Sequence, residues 1–280
     1  EEKQRLYRFL SYNALPENRV YIYDFFFDNC TTRVRDIFTL LYGEELVYRL
    51  PRQQQSFREE ISPYLRATPY VHLGINLMFG IPSDRRPQLK DRLYLPFQLM
   101  EAIEEGRVEG RALEAGSGFV YRQKRSDPRP PPIPPAALLW PAGALLIVIS
   151  ATKLRYSRIA RAADGLLFAV AGFLGIAMLL LWSFSGYEMT TKNLNIIWAW
   201  PPHIAAGFLS YELARRSRIV TVYFAAAATV SGLFLVSIPF LPQTIPAAAI
   251  PLILSLALRS ALRAWYARPW TTSSGADPQP

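Results

Sequence analysis

The sequence has little cysteine and little histidine. Of its 280 residues, one is a cysteine, Cys30, and two are histidines, His72 and His203. A single cysteine excludes a disulfide within the chain and any metal site built from several cysteines. The sequence also lacks a G-x-S-x-G elbow, a glycine-rich phosphate loop and an H-E-x-x-H zinc motif. We therefore predict no metal ion and no other cofactor, and the search for chemistry centres on Cys30.

Charge is scarce in the second half of the chain. Positions 1–133 hold 20 Lys and Arg and 18 Asp and Glu, whereas positions 134–280 hold 11 and 4. The net charge is +9, and most of the excess lies in short clusters between uncharged runs without interleaved aromatic residues. This pattern argues against a nucleic-acid partner and indicates membrane topology.

Long uncharged runs predict five membrane-spanning helices, because a helix needs about 20 apolar residues to cross the hydrocarbon layer. The predicted spans are 134–152, 165–187, 193–211 and two within 219–258 that a Pro-rich turn separates. Ten of the eleven cations in this half fall on one side of these spans. The positive-inside tendency places that side and the C-terminus in the cytoplasm, and residues 1–133 in the periplasm of a bacterial inner membrane.

Composition divides the chain into four predicted parts. They are a periplasmic domain at 1–125, a Pro-rich linker at 126–135, an all-α membrane domain of about five helices at 136–266, and a disordered cytoplasmic tail at 267–280. Apolar spacing predicts helices at 1–13, 30–42, 56–66 and 96–105, a strand-like run at 17–27, and a strand pair within 107–124. Asp28 or Asn29 is the predicted N-cap of the second helix, and Gly43 its C-cap.

Cys30 is predicted to lie in the first turn of that helix, within "YDFFFDNCTTRVRD". Unpaired N–H groups and the helix dipole stabilise a thiolate there, Arg33 adds a cation, and the same N–H groups can receive an oxyanion. The alternative is a buried cysteine acting as a small hydrophobe. The polar neighbours Asp28, Asn29 and Thr31 make a purely apolar niche less favourable.

The other ionisable residues give weaker signals. His72 is in the same half as Cys30 but in an amphipathic setting, either as a catalytic base or as a structural side chain. His203 is predicted about 10 Å inside the third span, where an ionisable group marks a functional site or bonds to a neighbouring helix. The carboxylate pairs at 44–45, 59–60 and 104–105 are predicted to lie on solvated helix faces.

Four stretches carry a resemblance to a known family. "LPENRVYIYDFFFDNCTTRVRD", "SFREEISPYL", "HLGINLMFG" and "NLNIIWAWPPH" resemble the bacterial Lnb family, over most of residues 1 to about 205. Its members are lipoprotein N-acyltransferases and their relatives, with a periplasmic domain similar to a circularly permuted, papain-like NlpC-type fold. The resemblance implies a partial, helix-rich α+β fold for residues 1–125 and a nucleophilic role for Cys30.

The resemblance also implies a partner histidine in a Gly-His motif upstream of Glu1. We therefore expect the natural sequence to continue upstream, and this chain to be inactive without that base. His72 does not match it.

The leading functional hypothesis is acyl transfer through a Cys30 thioester, from a membrane phospholipid donor to a lipoprotein acceptor. Asn193, Asn195, Trp198 and His203 are then candidates for substrate binding at the membrane interface. Two alternatives stay open: a membrane-anchored cysteine peptidase or amidase acting on cell-wall peptides, and a non-catalytic envelope scaffold.

Overall fold

The computed structural model describes residues 1–50, 55–114, 116, 118, 133–152, 157–208 and 217–266. The chain forms two compact units. Unit 1 comprises Glu1–Glu60 and Arg85–Pro130, and unit 2 comprises Ile61–Asp84 and Pro131–Pro280. Most of the predicted linker and the whole predicted C-terminal tail lie outside the described residues.

The helices and strands have the following bounds. In chain order the α-helices are α1 Glu2–Asn13, α2 Cys30–Tyr42, α3 Phe57–Ile61, α4 Pro69–Met78, α5 Leu89–Arg92, α6 Pro96–Glu104, α7 Pro135–Ala151, α8 Arg158–Phe184, α9 His203–Phe208, α10 Arg218–Ser237 and α11 Ile250–Tyr266. The strands are β1 Leu46–Val47, β2 Arg107–Val108 and β3 Arg111–Ala112. Short 3-10 helices lie at Gly43–Glu45, Ser62–Leu65, Ile81–Asp84, Glu188–Thr190, Leu194–Ile197, Ile238–Phe240 and Ala247–Ala249.

Three aromatic rings pack together in the interior of unit 1. Phe26 lies 4.9 Å from Tyr94 and 5.3 Å from Phe57, measured between ring centroids. Phe57 and Tyr94 are 5.9 Å apart, and all three side chains are buried. Because Phe26 lies shortly before α2 and Tyr94 shortly before α6, these contacts fix the starts of the two helices in unit 1.

The strand predicted at 17–27 is wrong. This stretch is irregular, and its one bridge joins Asp24 to Asp28 in a tight turn. The Asp24 carboxylate accepts hydrogen bonds from the N–H groups of Phe26 and Phe27, at 2.8 and 3.0 Å. An aspartate that bonds to its own following backbone favours a turn over an extended ladder. The apolar residues of the run pack as rings rather than as strand faces.

The strand pair predicted within 107–124 is confirmed for residues 107–112. β2 and β3 pair antiparallel, and β1 pairs with β2 to give a three-stranded sheet in the order β1-β2-β3. Glu109 and Gly110 join β2 to β3 with φ values of 50° and 77°. Two successive positive φ angles are typical of a type I′ hairpin, for which glycine is suited.

The prediction that both carboxylates of the 59–60 pair lie on a solvated helix face is wrong for Glu60. Glu59 is exposed, but Glu60 is buried and pairs with the buried Arg92 at 3.0 Å. Desolvation raises the pKa of the Glu60 carboxyl, although the hydrogen bond from Arg92 opposes the shift. Adjacent carboxylates on a short helix therefore face opposite environments.

Residues 61–84 belong to unit 2, although the sequence places them within the domain predicted at 1–125. The reason is apolar packing. Leu77 lies in the same buried core as Phe168 of α8, and Leu73 and Met78 pack against this core. α4 is therefore part of the same core as the apolar helices of the second half.

Among the described residues, three helical segments are long and apolar enough to cross a membrane. They are Arg158–Phe184, Arg218–Phe240 and Ala247–Trp265. α7 is a shorter apolar helix. These four elements correspond to four of the five predicted spans.

The predicted span at 193–211 is not a continuous helix at its start. Its described part consists of the 3-10 turn Leu194–Ile197, an irregular stretch, and α9, while residues 209–211 lie outside the described part. Irregular backbone at membrane depth is tolerated where protein buries it and satisfies its polar groups. Trp198 and Ala199 in this stretch are fully buried.

Glycines on α8 allow the irregular stretch to pack closely. A Cβ atom built on Gly175 would lie 1.9 Å from the carbonyl oxygen of Ala199. One built on Gly172 would lie 2.4 Å from the amide nitrogen of Ile204. The absence of these side chains lets the backbone of residues 199–204 lie directly against the helix.

Two of the cations counted in the topology prediction are buried. Arg259 binds both carboxylate oxygens of Asp164, at 2.5 and 2.9 Å, and donates to Ser150 Oγ at 3.0 Å. Arg263 approaches the same carboxylate at 3.3 Å and donates to the Ala206 carbonyl at 3.0 Å. These arginines tie α7, α8, α9 and α11 together inside unit 2, so their positions reflect packing as well as topology.

Candidate active site

Cys30 is the first residue of α2, and its side chain is exposed. Asn29 precedes it and is the N-cap, so of the two predicted candidates, Asp28 and Asn29, the second is correct. Gly43 ends the helix with a φ of 58°, as predicted. Asn29 and Thr32 form a reciprocal capping box. The sequence therefore correctly placed the thiol in the first helical turn, and exposure excludes the alternative of a buried cysteine acting as a core hydrophobe.

All four hydrogen-bonding positions of the Asn29 amide are used. Its Oδ1 accepts from the N–H groups of Thr31 and Thr32, at 2.7 and 2.8 Å. Its Nδ2 donates to the carbonyls of Phe25 and Tyr94, at 2.7 and 3.0 Å. Asn29 is buried, so it both caps α2 and joins its start to the segment that leads into α6.

These bonds reduce the number of backbone N–H groups that could bind an oxyanion at Cys30. The N–H groups of Thr31 and Thr32 already have an acceptor and are not available to substrate. Within the described residues, the N–H of Cys30 itself has no acceptor. Among the described N–H groups of the first turn of α2, the Cys30 N–H is therefore the one left for a developing oxyanion, not the several that the sequence predicts.

Arg33 is also committed to a local partner. Its Nε and Nη2 bind the two carboxylate oxygens of Asp28, at 2.5 and 2.7 Å. Its guanidinium lies 3.9 Å from the ring centroid of Tyr21. The hydrogen bond to Asp28 raises the pKa of Arg33, with burial opposing it. The expected cation beside Cys30 is thus half of an ion pair, which weakens its effect on a thiolate.

A largely apolar pocket of about 540 Å³ opens beside Cys30. It lies between α2 and α6 and is lined by Cys30, Thr31, Val34, Pro96, Leu99, Met100, Ile103, Glu104 and Glu114. The sequence gives no signal of this pocket, since its two walls, α2 and α6, are far apart in the chain. An exposed thiol in an apolar pocket can bring a hydrocarbon chain and a reacting carbonyl together.

We expect Asn29→Ala to destabilise unit 1 by about 2 kcal/mol or more, because it removes the cap and leaves the buried Tyr94 carbonyl and the partly buried Phe25 carbonyl without this donor. The control is Asn18→Ala, since the Asn18 amide makes one exposed bond, to the Tyr12 carbonyl. That change should stay within about 0.5 kcal/mol. Thermal unfolding of the three proteins in one detergent measures the difference. Equal stability of the two variants would contradict the role given to Asn29.

The two histidines lie in unit 2. His72, on α4, has its Nε2 3.2 Å from Ser62 Oγ. His203 is buried, with Nε2 3.1 Å from the Trp198 carbonyl and Nδ1 2.5 Å from the Tyr223 hydroxyl. Because a carbonyl only accepts, Nε2 carries the proton and Nδ1 accepts from Tyr223. His203 therefore makes the helix-to-helix hydrogen bond that was one of its two predicted alternatives.

The four candidates for the membrane interface come together as one buried network. Asn193 and Asn195 both donate to the Leu77 carbonyl, at 2.8 and 3.1 Å. Asn195 accepts from the Trp198 indole at 3.1 Å, and Trp198 in turn bonds to His203. Their side chains are buried with internal partners. Binding of substrate by these residues stays a prediction.

Two further residues, Gln243 and Tyr223, belong to this network without a signal in the sequence. Gln243 donates to Asn193 Oδ1 at 3.0 Å and accepts from the Leu194 amide at 2.7 Å. Tyr223 bonds to His203. Gln243 lies in the Pro-rich turn predicted between the last two spans, and a lone amide in such a turn gives no sequence signal of burial. The described residues contain no cluster of three His, Cys, Asp or Glu side chains that could hold a metal.

Comparison with known proteins identifies a family for the second half. The model of the Lnb transmembrane domain matches residues 128–268, half of the chain. No curated protein and no solved structure matches. Together with the long apolar helices of unit 2, this match shows a membrane protein with several spans. The chain belongs to the Lnb family.

Proposed function

We propose that the chain is a membrane-bound acyltransferase that uses Cys30 to carry an acyl group as a thioester. The donor is a membrane phospholipid, and the acceptor is the α-amine of a bacterial lipoprotein's N-terminal cysteine. The observation that carries the proposal is the exposed Cys30 thiol at the start of α2, opening into an apolar pocket of about 540 Å³.

The pocket fits a hydrocarbon chain better than a polar peptide. Val34, Leu99, Met100 and Ile103 line it, and aliphatic walls bind acyl chains through the hydrophobic effect. A hydrolase acting on cell-wall peptides would need donors and acceptors for peptide groups, and this lining offers few. The pocket therefore favours an acyl substrate over the peptidase alternative.

The proposed reaction has two balanced steps. A base takes the proton of the Cys30 thiol, the thiolate attacks the ester carbonyl of the donor, the C–O bond breaks, and the base returns that proton to the leaving lysophospholipid oxygen. The neutral amine of the acceptor then attacks the thioester carbonyl, the C–S bond breaks, an amide forms, and the amine proton passes to a base. The Cys30 N–H is the described backbone donor for the oxyanion in both steps.

A membrane domain is natural for these substrates, since both donor and acceptor are anchored in the bilayer. We place residues 1–60 and 85–125 in the periplasm as an α+β domain of the permuted papain-like type, with residues 61–84 joined to the membrane domain. We place the membrane domain in the bacterial inner membrane with five helices and a cytoplasmic C-terminus. The family match and the clusters of cations between the apolar helices support this arrangement. In this arrangement the buried hydrogen-bonded network would stabilise the membrane domain near its outer interface. Its members are Asn193, Asn195, Trp198 and His203.

The test is the intact mass of the protein, expressed with the upstream segment in which the resemblance predicts the partner histidine, after incubation in nanodiscs with a phospholipid that carries an isotope-labelled acyl chain. We expect one labelled acyl group on Cys30, removed by neutral hydroxylamine as a thioester is, and transferred to a synthetic diacylglyceryl lipopeptide. Labelled free fatty acid without an amide product would indicate a hydrolase. An unmodified Cys30 would overturn the proposal.

A further inference from the structure

α4 is anchored at one end of the α8 span. Its Leu77 carbonyl receives the two amides of Asn193 and Asn195, and the Gly80 amide donates to the Met189 carbonyl at 2.8 Å. The turn Ile81–Asp84 packs on Glu188–Thr190, which follows directly after α8. The end of α4 is therefore held at the level where α8 ends.

Exposed aromatic side chains mark this level as the edge of the hydrocarbon layer. Trp182 and Phe184 lie in the last turn of α8, and Tyr187 follows it, all three exposed. Tryptophan and tyrosine are enriched where spanning helices enter the interface. Since α8 is long and apolar enough to span a membrane, its aromatic end indicates where the bilayer surface lies in unit 2.

The 3-10 helix Ser62–Leu65 and the first turn of α4 expose aromatic and aliphatic side chains. Tyr64, Tyr70 and Val71 are 51%, 52% and 53% exposed, and Arg66 beside them is also exposed. We call Tyr64, Tyr70 and Val71 the α4 face. Leu77 lies seven residues after Tyr70, on the same side of α4, and is buried in the core of unit 2. One side of α4 therefore carries apolar residues from the buried core to an exposed position nearer the start of the helix.

We propose that the α4 face lies in the interface of the lipid bilayer, between head groups and acyl chains. The occupant is the lipid surface itself, because α4 packs in the same core as the membrane-spanning helices and its C-terminal end is fixed where α8 ends. Tyr64 and Tyr70 supply amphipathic rings suited to that depth, and Arg66 supplies a cation for lipid phosphate. This inference does not depend on the acyltransferase proposal.

The test uses the full chain with Cys30→Ser, so that a single new cysteine can be labelled. Val71→Cys and Tyr70→Cys report on the α4 face. Val47→Cys in unit 1 is the matched control, because Val47 is 52% exposed and of the same residue type as Val71. Each variant carries an environment-sensitive fluorophore in nanodiscs, with or without a nitroxide at the lipid head group.

We expect the lipid nitroxide to quench the labels at 70 and 71 several-fold more than the label at 47, and aqueous iodide to quench them less. Equal quenching at 47 and 71, by either agent, would overturn the proposal. Tyr70→Cys provides a second position, and the thermal unfolding of each variant verifies that the fold is retained. Since the readout does not need turnover, failure of the acyltransferase proposal leaves this result unaffected.

Discussion

Cys30→Ala is expected to abolish the acyl-enzyme and to lower the rate of acyl transfer by at least about a thousandfold, as loss of a covalent nucleophile does in other enzymes. The thiol has no substitute in this chain, which contains one cysteine. The pocket beside it would still bind the acyl chain, because its aliphatic lining is unchanged. The expected kinetic signature is therefore a loss of turnover with little change in donor affinity. Single-turnover transfer from labelled phospholipid measures the rate, in proteins that include the upstream segment expected to carry the partner histidine.

Cys30→Ser separates the loss of the thiol from the loss of side-chain volume. A serine hydroxyl fits the same first turn and leaves the Asn29 capping bonds intact, so the fold should be preserved. Its higher pKa makes it a poor nucleophile without a strong base, so transfer should be almost as slow as in the alanine variant. Asn18→Ala, remote from the pocket lining, is the control for expression and handling. Transfer by Cys30→Ala at the wild-type rate would remove Cys30 from the reaction.

Gly175→Ala is expected to cost several kcal/mol of stability or to prevent unit 2 from folding. The added methyl would lie 1.9 Å from the Ala199 carbonyl oxygen, a backbone atom that cannot rotate away. α8 and the irregular stretch must then separate, which disturbs the buried bonds of Trp198 and Asn195. Overpacking in well-packed interiors commonly costs about 1–3 kcal/mol, and a backbone clash belongs at the upper end or beyond.

Gly232→Ala is the matched control, since Gly232 lies inside α10 and a Cβ there would meet nothing within 4 Å. Alanine is favoured over glycine in a helix interior by up to about 1 kcal/mol, so this variant should be as stable as the wild type or more so. Size-exclusion profile and unfolding temperature in detergent compare the two. A Gly175→Ala protein with the wild-type unfolding temperature would contradict the close packing described here.

Local sequence signals predicted the start of the candidate site. A short polar side chain before an apolar helix predicts an N-cap, and Asn29 is one. The thiol's place in the first turn followed from that cap. The pocket did not, because α6 approaches α2 only through tertiary packing. Of the two acceptors of Asn29 Nδ2, the Tyr94 carbonyl could not be predicted for the same reason, since Tyr94 is distant in sequence.

Patterning was less informative where a residue's surroundings come from distant parts of the chain. The aromatic run at 17–27 has the composition of a strand, but Asp24 closes it into a turn. Glu60 resembles its exposed neighbour Glu59 in sequence, and only the approach of Arg92 distinguishes them. The apolar runs of the second half were more reliable, because length and composition alone define a candidate membrane helix.

The division of the chain has a consequence for the order in which it folds. The polypeptide leaves unit 1 after residue 60, contributes residues 61–84 to unit 2, and returns to unit 1 at residue 85. During synthesis, α4 emerges long before the helices that hold the Leu77 carbonyl and the Gly80 amide. Its apolar side chains remain unpacked, in water or on the membrane surface, until Asn193 and Gln243 have been synthesised. Cleavage at one position cannot separate the two units. A fragment of residues 1–125 would therefore contain the apolar helix α4 without the core of unit 2 against which it packs.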